Sequence, residues 1–269
     1  MSQSQNEMSF WDHLEELRWT LFRSIFALLI FTVGGFATLP YLFDNVILAP
    51  CNSDFYTYQG LCKVSSFLPF LPDFCDQYFH VDLVQIKLAT MFFTHMSTSF
   101  WLAVLLTFPY LVYEVWKFIS PALYPNEKKN AKGVFMGGTV MFFIGCTFGY
   151  FIVFPMTLRV LITWNLSDLI QDQLSLESYM DNFLVIIFIM GVVFELPLVC
   201  WLFSQVGLLK RSFFKKYRRY AVVGLLIATA IITPSGDPFT LMVVFLPIYG
   251  LYELSAFVVK KDPPEEEDS

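Results

Sequence analysis

Residues 183–206 read FLVIIFIMGVVFELPLVCWLFSQV, a stretch in which Glu195 is the one acidic or basic side chain. About 20 consecutive apolar residues are needed for a helix to cross a hydrocarbon core that is ~30 Å thick. Inside lipid the backbone N–H and C=O groups have no water to bind, so a spanning segment must satisfy them within its own helix. This stretch therefore predicts a transmembrane helix.

Comparable apolar stretches occur along the rest of the chain. The protein has 269 residues, of which 56% are hydrophobic and 19% aromatic. Its mean hydropathy of +0.58 is far above the range of a soluble domain. We predict an all-α membrane protein with six transmembrane helices. The spans are predicted at residues 19–39, 88–116, 134–154, 183–206, 220–232 and 239–257, of which the fifth is short and the sixth contains Glu253.

The basic residues predict the orientation of these spans, because cytoplasmic loops carry an excess of lysine and arginine. With six spans, only Lys63, Lys87 and Arg159 of the 17 basic residues fall on one side, and all the others fall on the opposite side. We therefore predict a multi-pass protein of a bacterial inner membrane with both termini in the cytoplasm. Treating residues 220–252 as one hairpin or as no span would give the same count, but the TPSGDP turn at 233–238 favours two short helices.

No linker or internal repeat divides the chain, so we expect one transmembrane domain over residues 1–259. Residues 260–269, KKDPPEEEDS, are polar and charged, which predicts a disordered cytoplasmic tail. Prolines at positions 109, 155, 197 and 247 lie in or at the ends of four spans, and proline bends helices. A curved bundle with a cupped shape is therefore expected.

The external segment at residues 40–85 is long, acidic and interrupted by prolines, which predicts an ordered cap. It contains Cys51, Cys62 and Cys75, which face an oxidising compartment if this is a bacterial envelope protein. One disulfide with one thiol left over is expected, but the spacing does not assign the pair. The spacing of these cysteines and His80 matches no zinc pattern, so no metal site is expected.

Two acidic sites are predicted on the cytoplasmic side. Apolar and polar residues alternate with helical spacing at residues 8–18, which predicts an amphipathic helix on the membrane surface. This helix is either an ordinary anchor or, because Glu15 and Glu16 are acidic, a receiver of cations. Glu114 ends the second span on the same side and either pairs with Lys117 or binds an arginine of a partner.

Glu195 requires a separate explanation, because an ionisable group inside a span costs on the order of 2.5–3.5 kcal/mol. One possibility is a structural hydrogen bond to a neighbouring helix. The other is a position facing a water-accessible cavity, which Pro197 favours because it bends the helix and frees a backbone carbonyl.

Motifs of soluble enzymes are absent from the sequence, which contains no GxxxxGK[ST], GxGxxG, HExxH or GxSxG. The histidines are scattered, and they are interpreted as polar surface or helix-packing residues. We therefore expect neither an enzyme nor a bound cofactor, and no nucleic-acid partner.

Four motifs resemble those of the TatC family, the receptor subunits of twin-arginine protein export. HLEELRWTL at 13–21 resembles the family's HLxELRxRL opening, and YEVWKFISPALYPNEKK at 113–129 resembles its first cytoplasmic loop. FELPL at 194–198 resembles its fourth-span motif, and TPSGDPF at 233–239 resembles its last periplasmic turn. Thr20 departs from the family pattern, which often has a second arginine there, and Leu241 replaces a common glutamine.

The resemblance implies a glove-like fold of six helices that binds Arg-Arg signal peptides of folded cargo. It also implies export driven by proton-motive force, single-span partners of the TatA and TatB kind, and a homo-oligomer within the complex. The signal-peptide site would contain Glu16, Arg18 and Glu114, and the intramembrane cavity Glu195 and Pro197. Partner binding would involve Thr233, Asp237 and Thr240, and Pro50 would order the external loop. The alternative to this function is a proton-coupled secondary transporter that uses Glu195 as a proton relay.

Overall fold

The computed structural model of the chain describes residues 10–65, 81–119, 125–163, 173–205, 207–234 and 236–259. Helices dominate these residues. They are α1 (Phe10–Leu42), α2 (Tyr56–Ser65), α3 (Thr90–Ile119), α4 (Pro125–Phe148), α5 (Phe154–Thr163), α6 (Leu176–Phe194), α7 (Leu196–Gln205), α8 (Arg211–Ile232) and α9 (Pro238–Val258). Two short strands, β1 (Leu83–Val84) and β2 (Leu174–Ser175), pair in parallel with Leu83 opposite Leu174.

Within the part of the chain that the structure describes, five helical stretches are long and apolar enough to cross a membrane. They are Leu14–Cys51, Thr90–Phe118, Phe135–Thr163, Leu176–Gln205 and Pro238–Val258. The prediction of an all-α membrane protein is thus confirmed. Helix α8 does not meet the same criterion because its first half is strongly basic and only residues 220–232 are continuously apolar. The six-span count and the position of the termini stay predictions.

The first helix is longer than the sequence indicated. Residues 10–18 of the predicted surface helix and the whole predicted span at 19–39 lie in one continuous helix, α1, which passes through Pro40, while residues 8 and 9 lie outside the described residues. A π-helical turn at Phe43–Ile47 and a 3-10 turn at Ala49–Cys51 continue it into the segment predicted as an external loop. This segment then forms α2, so much of its described part is helical.

The chain divides into two compact units. The first contains Met1–Pro40 and His95–Thr139, and the second contains Tyr41–Thr94 and Val140–Ser269. The boundaries fall inside α1, α3 and α4. Whether the chain behaves as one membrane domain stays a prediction.

In the second unit, small residues allow α4 and α6 to approach closely. A Cβ atom on Gly145 would lie 2.5 Å from the carbonyl oxygen of Met190, and one on Gly191 would lie 2.7 Å from the Cys146 Sγ. Glycine is common at membrane helix interfaces because it lets two backbones pack together. Beside this crossing, the rings of Phe154 and Phe183 meet edge to face, with centroids 5.0 Å apart.

In the first unit, a histidine compensates for the proline in α1. Pro40 has no N–H, so the carbonyl of Phe36, four residues earlier, lacks its usual helical donor. The His95 Nε2 of α3 lies 2.9 Å from this carbonyl oxygen, and the His95 ring stacks on the Phe36 ring with centroids 3.9 Å apart. Gly35 lies next to Ser99 at the same crossing. His95 therefore fastens α3 to α1 at the point where α1 loses a hydrogen bond.

This arrangement predicts the effect of removing His95. His95→Leu should lower the free energy of unfolding in detergent by about 1–3 kcal/mol, because the Phe36 carbonyl is left without a donor. In a Pro40→Ala background the restored N–H supplies that donor, so the same substitution should cost clearly less. Denaturant unfolding of the four variants, followed by circular dichroism, measures the difference. Equal costs in both backgrounds would show that the carbonyl is not the source of the effect.

Candidate functional site

Glu114 lies in the last turns of α3 and is buried, with 3% of its surface exposed. Its Oε2 accepts a hydrogen bond from the Arg23 Nε at 3.1 Å and lies 3.0 Å from a second nitrogen of the same guanidinium. Its Oε1 accepts a hydrogen bond of 2.8 Å from the Tyr110 hydroxyl. Both oxygens of this carboxylate are therefore occupied, and one of them is held by a guanidinium.

Arg23 is the residue that the sequence analysis missed. Pairing of Glu114 with Lys117 was considered, but Glu114 pairs with Arg23 of α1, which is 91 positions away in the sequence. Arg23 also donates to the Thr20 hydroxyl at 3.4 Å, so Thr20 takes part in the same network. A signal was available, because an arginine inside the predicted span at 19–39 requires an acidic partner at the same membrane depth.

Glu16 and Arg18 lie on α1 closer to its beginning. Glu16 is half-buried, and none of the hydrogen bonds or ion pairs among the described residues joins it to Glu114. Arg18 is exposed, and its guanidinium carbon lies 5.6 Å from the centroid of the Phe22 ring. The structure thus leaves Glu16 accessible, whereas Glu114 already holds a cation.

Glu195 lies where the fourth predicted span is interrupted, between the end of α6 and the beginning of α7. Pro197 has no N–H for the carbonyl of Val193, and the backbone N–H of Glu195 donates to this carbonyl and to that of Val192 instead. The Glu195 side chain is 6% exposed, and neither carboxyl oxygen has a hydrogen-bond partner within the described part of the chain. The predicted neighbour-helix hydrogen bond is therefore not formed there.

The predicted partner-binding residues build the turn between α8 and α9. Thr233 ends α8, is buried, and donates its hydroxyl to the Thr229 carbonyl at 2.9 Å. Asp237 caps α9 by accepting a hydrogen bond of 2.7 Å from the Thr240 N–H. Thr240 itself is fully buried. In this structure their described contacts are those of a helix cap and a turn.

Pro50 lies in a buried cluster that orders the external segment. Its carbonyl accepts a hydrogen bond of 3.0 Å from the Tyr58 hydroxyl, and the Tyr179 hydroxyl donates to the Ile47 carbonyl at 2.5 Å. Burial raises the pKa of Tyr58 well above its ordinary value, so its hydroxyl remains a donor at neutral pH. The Arg159 guanidinium lies 5.7 Å from the centroid of the Tyr58 ring.

The cysteines of this segment have different states. Cys51 is a buried free thiol in the cluster, next to Pro50. Cys62, in α2, is disulfide-bonded. Cys75 lies outside the described residues. Cys51 is therefore the thiol left over.

The long apolar helices contain an Arg–Glu pair and a buried carboxyl group, Glu195. Together these features define a multi-pass α-helical membrane protein.

The sequence matches the family described as TatC, Sec-independent protein translocase protein, over residues 12–247. Similar proteins include the TatC of Blattabacterium sp. subsp. Periplaneta americana, which is 33% identical over 96% of this chain and 97% of that protein. The TatC of Desulforapulum autotrophicum is 33% identical over 99% of this chain and 92% of its own length.

A solved structure agrees with this result. The crystal structure of a twin-arginine translocase receptor, TatC, superposes with a TM-score of 0.67 and 28% identity, over 91% of this chain and 97% of the other. The chain belongs to the TatC family of Sec-independent protein translocase proteins. Its role is therefore in protein transport rather than catalysis, as a component of a translocase in a membrane.

The pairing of Arg23 with Glu114 predicts a thermodynamic coupling. Arg23→Leu or Glu114→Leu alone should lower the free energy of unfolding by about 1–3 kcal/mol, because each leaves a charged group without its partner. This range lies below that of fully buried pairs, since the Arg23 side chain is 37% exposed. The double variant should lose less than the sum of the two, as measured by denaturant unfolding. Strict additivity would mean that the ion pair contributes nothing to stability.

Proposed function

We propose that this protein is the receptor subunit of a twin-arginine translocase and that it binds Arg-Arg signal peptides of folded cargo at its cytoplasmic face. The observation that carries the proposal is the buried Glu114 carboxylate, which holds the Arg23 guanidinium by two contacts to one of its oxygens. A guanidinium is planar and weakly hydrated, so it can enter such a site at lower cost than a lysine ammonium. The related solved structure is named as a twin-arginine translocase receptor.

Recognition at this site involves an exchange of partners. Glu16 is half-buried and its side chain forms no hydrogen bond or ion pair within the described residues, so it can meet the incoming peptide first. Glu114 is occupied by Arg23, so a signal-peptide arginine that binds there has to displace Arg23. Arg23 and the signal-peptide arginine both present a guanidinium group. Replacing one with the other at Glu114 therefore leaves the charge and the number of hydrogen bonds at this site nearly unchanged. Arg18 lies two residues after Glu16 on α1. Its positive charge repels a signal-peptide arginine, and so disfavours peptide positions that would place an arginine next to it instead of next to Glu16.

Assembly with single-span partners of the TatA and TatB kind and with further copies of this chain completes the translocase. The apolar half of α8 is 13 residues long, which corresponds to about 20 Å of helix and leaves a gap that a partner helix can cover. The contact between α8 and a partner helix depends indirectly on the turn that positions α8 beside α9. This turn is fixed by Thr233, Asp237 and Thr240. The proposed setting is a bacterial inner membrane with both termini in the cytoplasm and proton-motive force as the energy source.

A second candidate function, proton-coupled transport, rests on Glu195. A buried carboxyl group without a hydrogen-bond partner is costly, and such a group suits a proton relay. The same group also suits a translocase in which a partner or cargo segment donates a hydrogen bond to it. Family membership favours the second interpretation.

Signal-peptide crosslinking tests the receptor proposal. A photo-reactive Arg-Arg signal peptide should crosslink to the chain in nanodiscs with a clearly higher yield than its Lys-Lys variant. Glu16→Gln with Glu114→Gln should remove this difference, whereas Asp54→Asn with Glu177→Gln, which changes two acids on the predicted opposite side, should not. Arg23→Gln frees Glu114 and should raise the Arg-Arg yield. Equal yields for the two peptides with the unaltered chain would overturn the proposal.

Substitution of Glu195 separates the two candidate functions. Glu195→Met removes two unpartnered oxygens from a buried position, so the free energy of unfolding should rise by about 1–3 kcal/mol, while export of a folded Arg-Arg substrate should fall. Asp181→Met, at an exposed acid on the same helix α6 for which the described residues offer no ion-pair partner, serves as the control and should change neither.

Proton flux is the second readout. Vesicles that contain only this chain should show no substrate-dependent flux. A flux that Glu195→Gln abolishes would instead establish the transporter.

A further inference from the structure

Helix α8 begins with an unusually basic segment. Residues 210–220 read KRSFFKKYRRY, in which lysine and arginine alternate with aromatic residues. The apolar half of the helix follows directly at residues 220–232. Because the rise is about 1.5 Å per residue, Lys215 and Arg219 lie within about 8 Å of the first apolar residue along the axis. With residues 220–232 as the predicted fifth span, these charges would stand at the level where a bilayer changes from hydrocarbon to headgroups.

One face of this basic half is used for packing against α9. Phe214 is buried against Tyr252, with ring centroids 5.3 Å apart, and the Phe214 carbonyl accepts a hydrogen bond from the Tyr252 hydroxyl. Arg218 pairs with Glu253 at 2.7 Å, and the hydrogen bond from Arg218 to Tyr249 raises its pKa. The Arg211 guanidinium lies 5.1 Å from the Phe257 ring. The spacing of three and four residues between positions 211, 214 and 218 is that of one helix face.

The adjoining face carries a second set of cations, for which the described residues offer no acidic partner. Lys215, Lys216 and Arg219 are exposed, and none of them forms an ion pair with an acid in the ranges that the structure covers. At 100° per residue, these three side chains project within about 100° of one another. Three positive charges thus form a strip that repels itself and attracts an anionic partner.

An exposed row of rings runs beside the strip. Phe213, Tyr217 and Tyr220 are 46%, 39% and 75% exposed. Their rings follow one another, with centroids 4.6 Å apart for the first pair and 6.3 Å for the second. Rows of aromatic residues at this level of a membrane protein lie against the glycerol region and the upper acyl chains of lipids.

We infer that the surface formed by Phe213, Lys215, Lys216, Tyr217, Arg219 and Tyr220, here called the α8 strip, binds an anionic phospholipid. The cations contact the phosphate and any further anionic oxygens of the headgroup, and the rings contact the glycerol and the acyl chains. Residues 210–219 contain six basic residues, of which three belong to the α8 strip. Clusters of four to eight basic residues next to a membrane helix recognise anionic lipid. An acidic protein segment would satisfy the charges but would leave the row of rings uncovered, so the combination favours a lipid.

Lipid retention measured by native mass spectrometry tests this inference. The full chain is purified in detergent and exposed to equal amounts of phosphatidylglycerol and phosphatidylcholine. We expect phosphatidylglycerol to be retained with roughly tenfold or greater preference. Lys215→Gln, Lys216→Gln and Arg219→Gln together should abolish this preference. The control removes three other lysines, with Lys117→Gln, Lys260→Gln and Lys261→Gln, and should keep it.

The rings provide an independent variant. Tyr217→Ala with Tyr220→Ala should reduce retention of both lipids and leave the preference between them unchanged. Thermal unfolding of every variant checks that it is folded, and the side chains that are changed at residues 215–220 are exposed.

Four results would overturn the inference. The first is an equal retention of both lipids by the unaltered chain. The second is a preference that survives the triple substitution at the strip, and the third is a loss that the control variant shares. The fourth is a preference that appears only after residues 260–269 are removed, which would assign the α8 strip to the chain's own acidic end.

Discussion

Inside the membrane-spanning segments, every backbone carbonyl and amide has to find a partner within the protein, because the lipid offers none. At two prolines that break a helical hydrogen bond, the structure shows a substitute donor for the carbonyl that is left open. His95 approaches the carbonyl that Pro40 leaves open, and the N–H of Glu195 turns to the carbonyl that Pro197 leaves open. In the external cap, Tyr58 and Tyr179 supply hydroxyl donors to carbonyls of irregular backbone. Side chains that look unremarkable in sequence therefore hold the irregular parts of the fold.

Charged side chains are under the same constraint, and they meet it in two ways. Arg23 and Glu114 satisfy each other, with Thr20 and Tyr110 filling the remaining positions. Such a pair is expensive to bury and expensive to break, so it fixes α1 against α3 and also marks a place where a second guanidinium can substitute for the first. On α8, Arg218 is paired with Glu253, whereas Lys215, Lys216 and Arg219 form no ion pair among the described residues.

The apolar spans could be predicted from the sequence because hydrophobicity over about 20 residues is a local property. The TatC resemblance was equally accessible, since four short motifs occur in the right order. The continuity of α1 was not predictable in this way, because proline usually signals an end and the donor that rescues it stands 55 positions later, at His95. An arginine inside the predicted first span did signal an acidic partner for Arg23. Which acid it meets depends on the register of two helices, which no local pattern encodes. The turn at Asp237 was placed correctly because capping is local.

The contrast between Glu114 and Glu195 shows where binding energy is available in this molecule. Both oxygens of the Glu114 carboxylate have partners, so under the proposed receptor function a ligand would gain at that position only by replacing Arg23 with an equivalent group. The carboxyl oxygens of Glu195 have no hydrogen-bond partner within the described chain. A group that donates a hydrogen bond to them therefore offsets the free-energy cost of burying these oxygens unpaired. The Glu114 site is therefore suited to distinguishing one ligand from another, and a ligand gains little net affinity there. The second is suited to stabilising a state in which another polypeptide or a proton reaches the interior of the helix bundle.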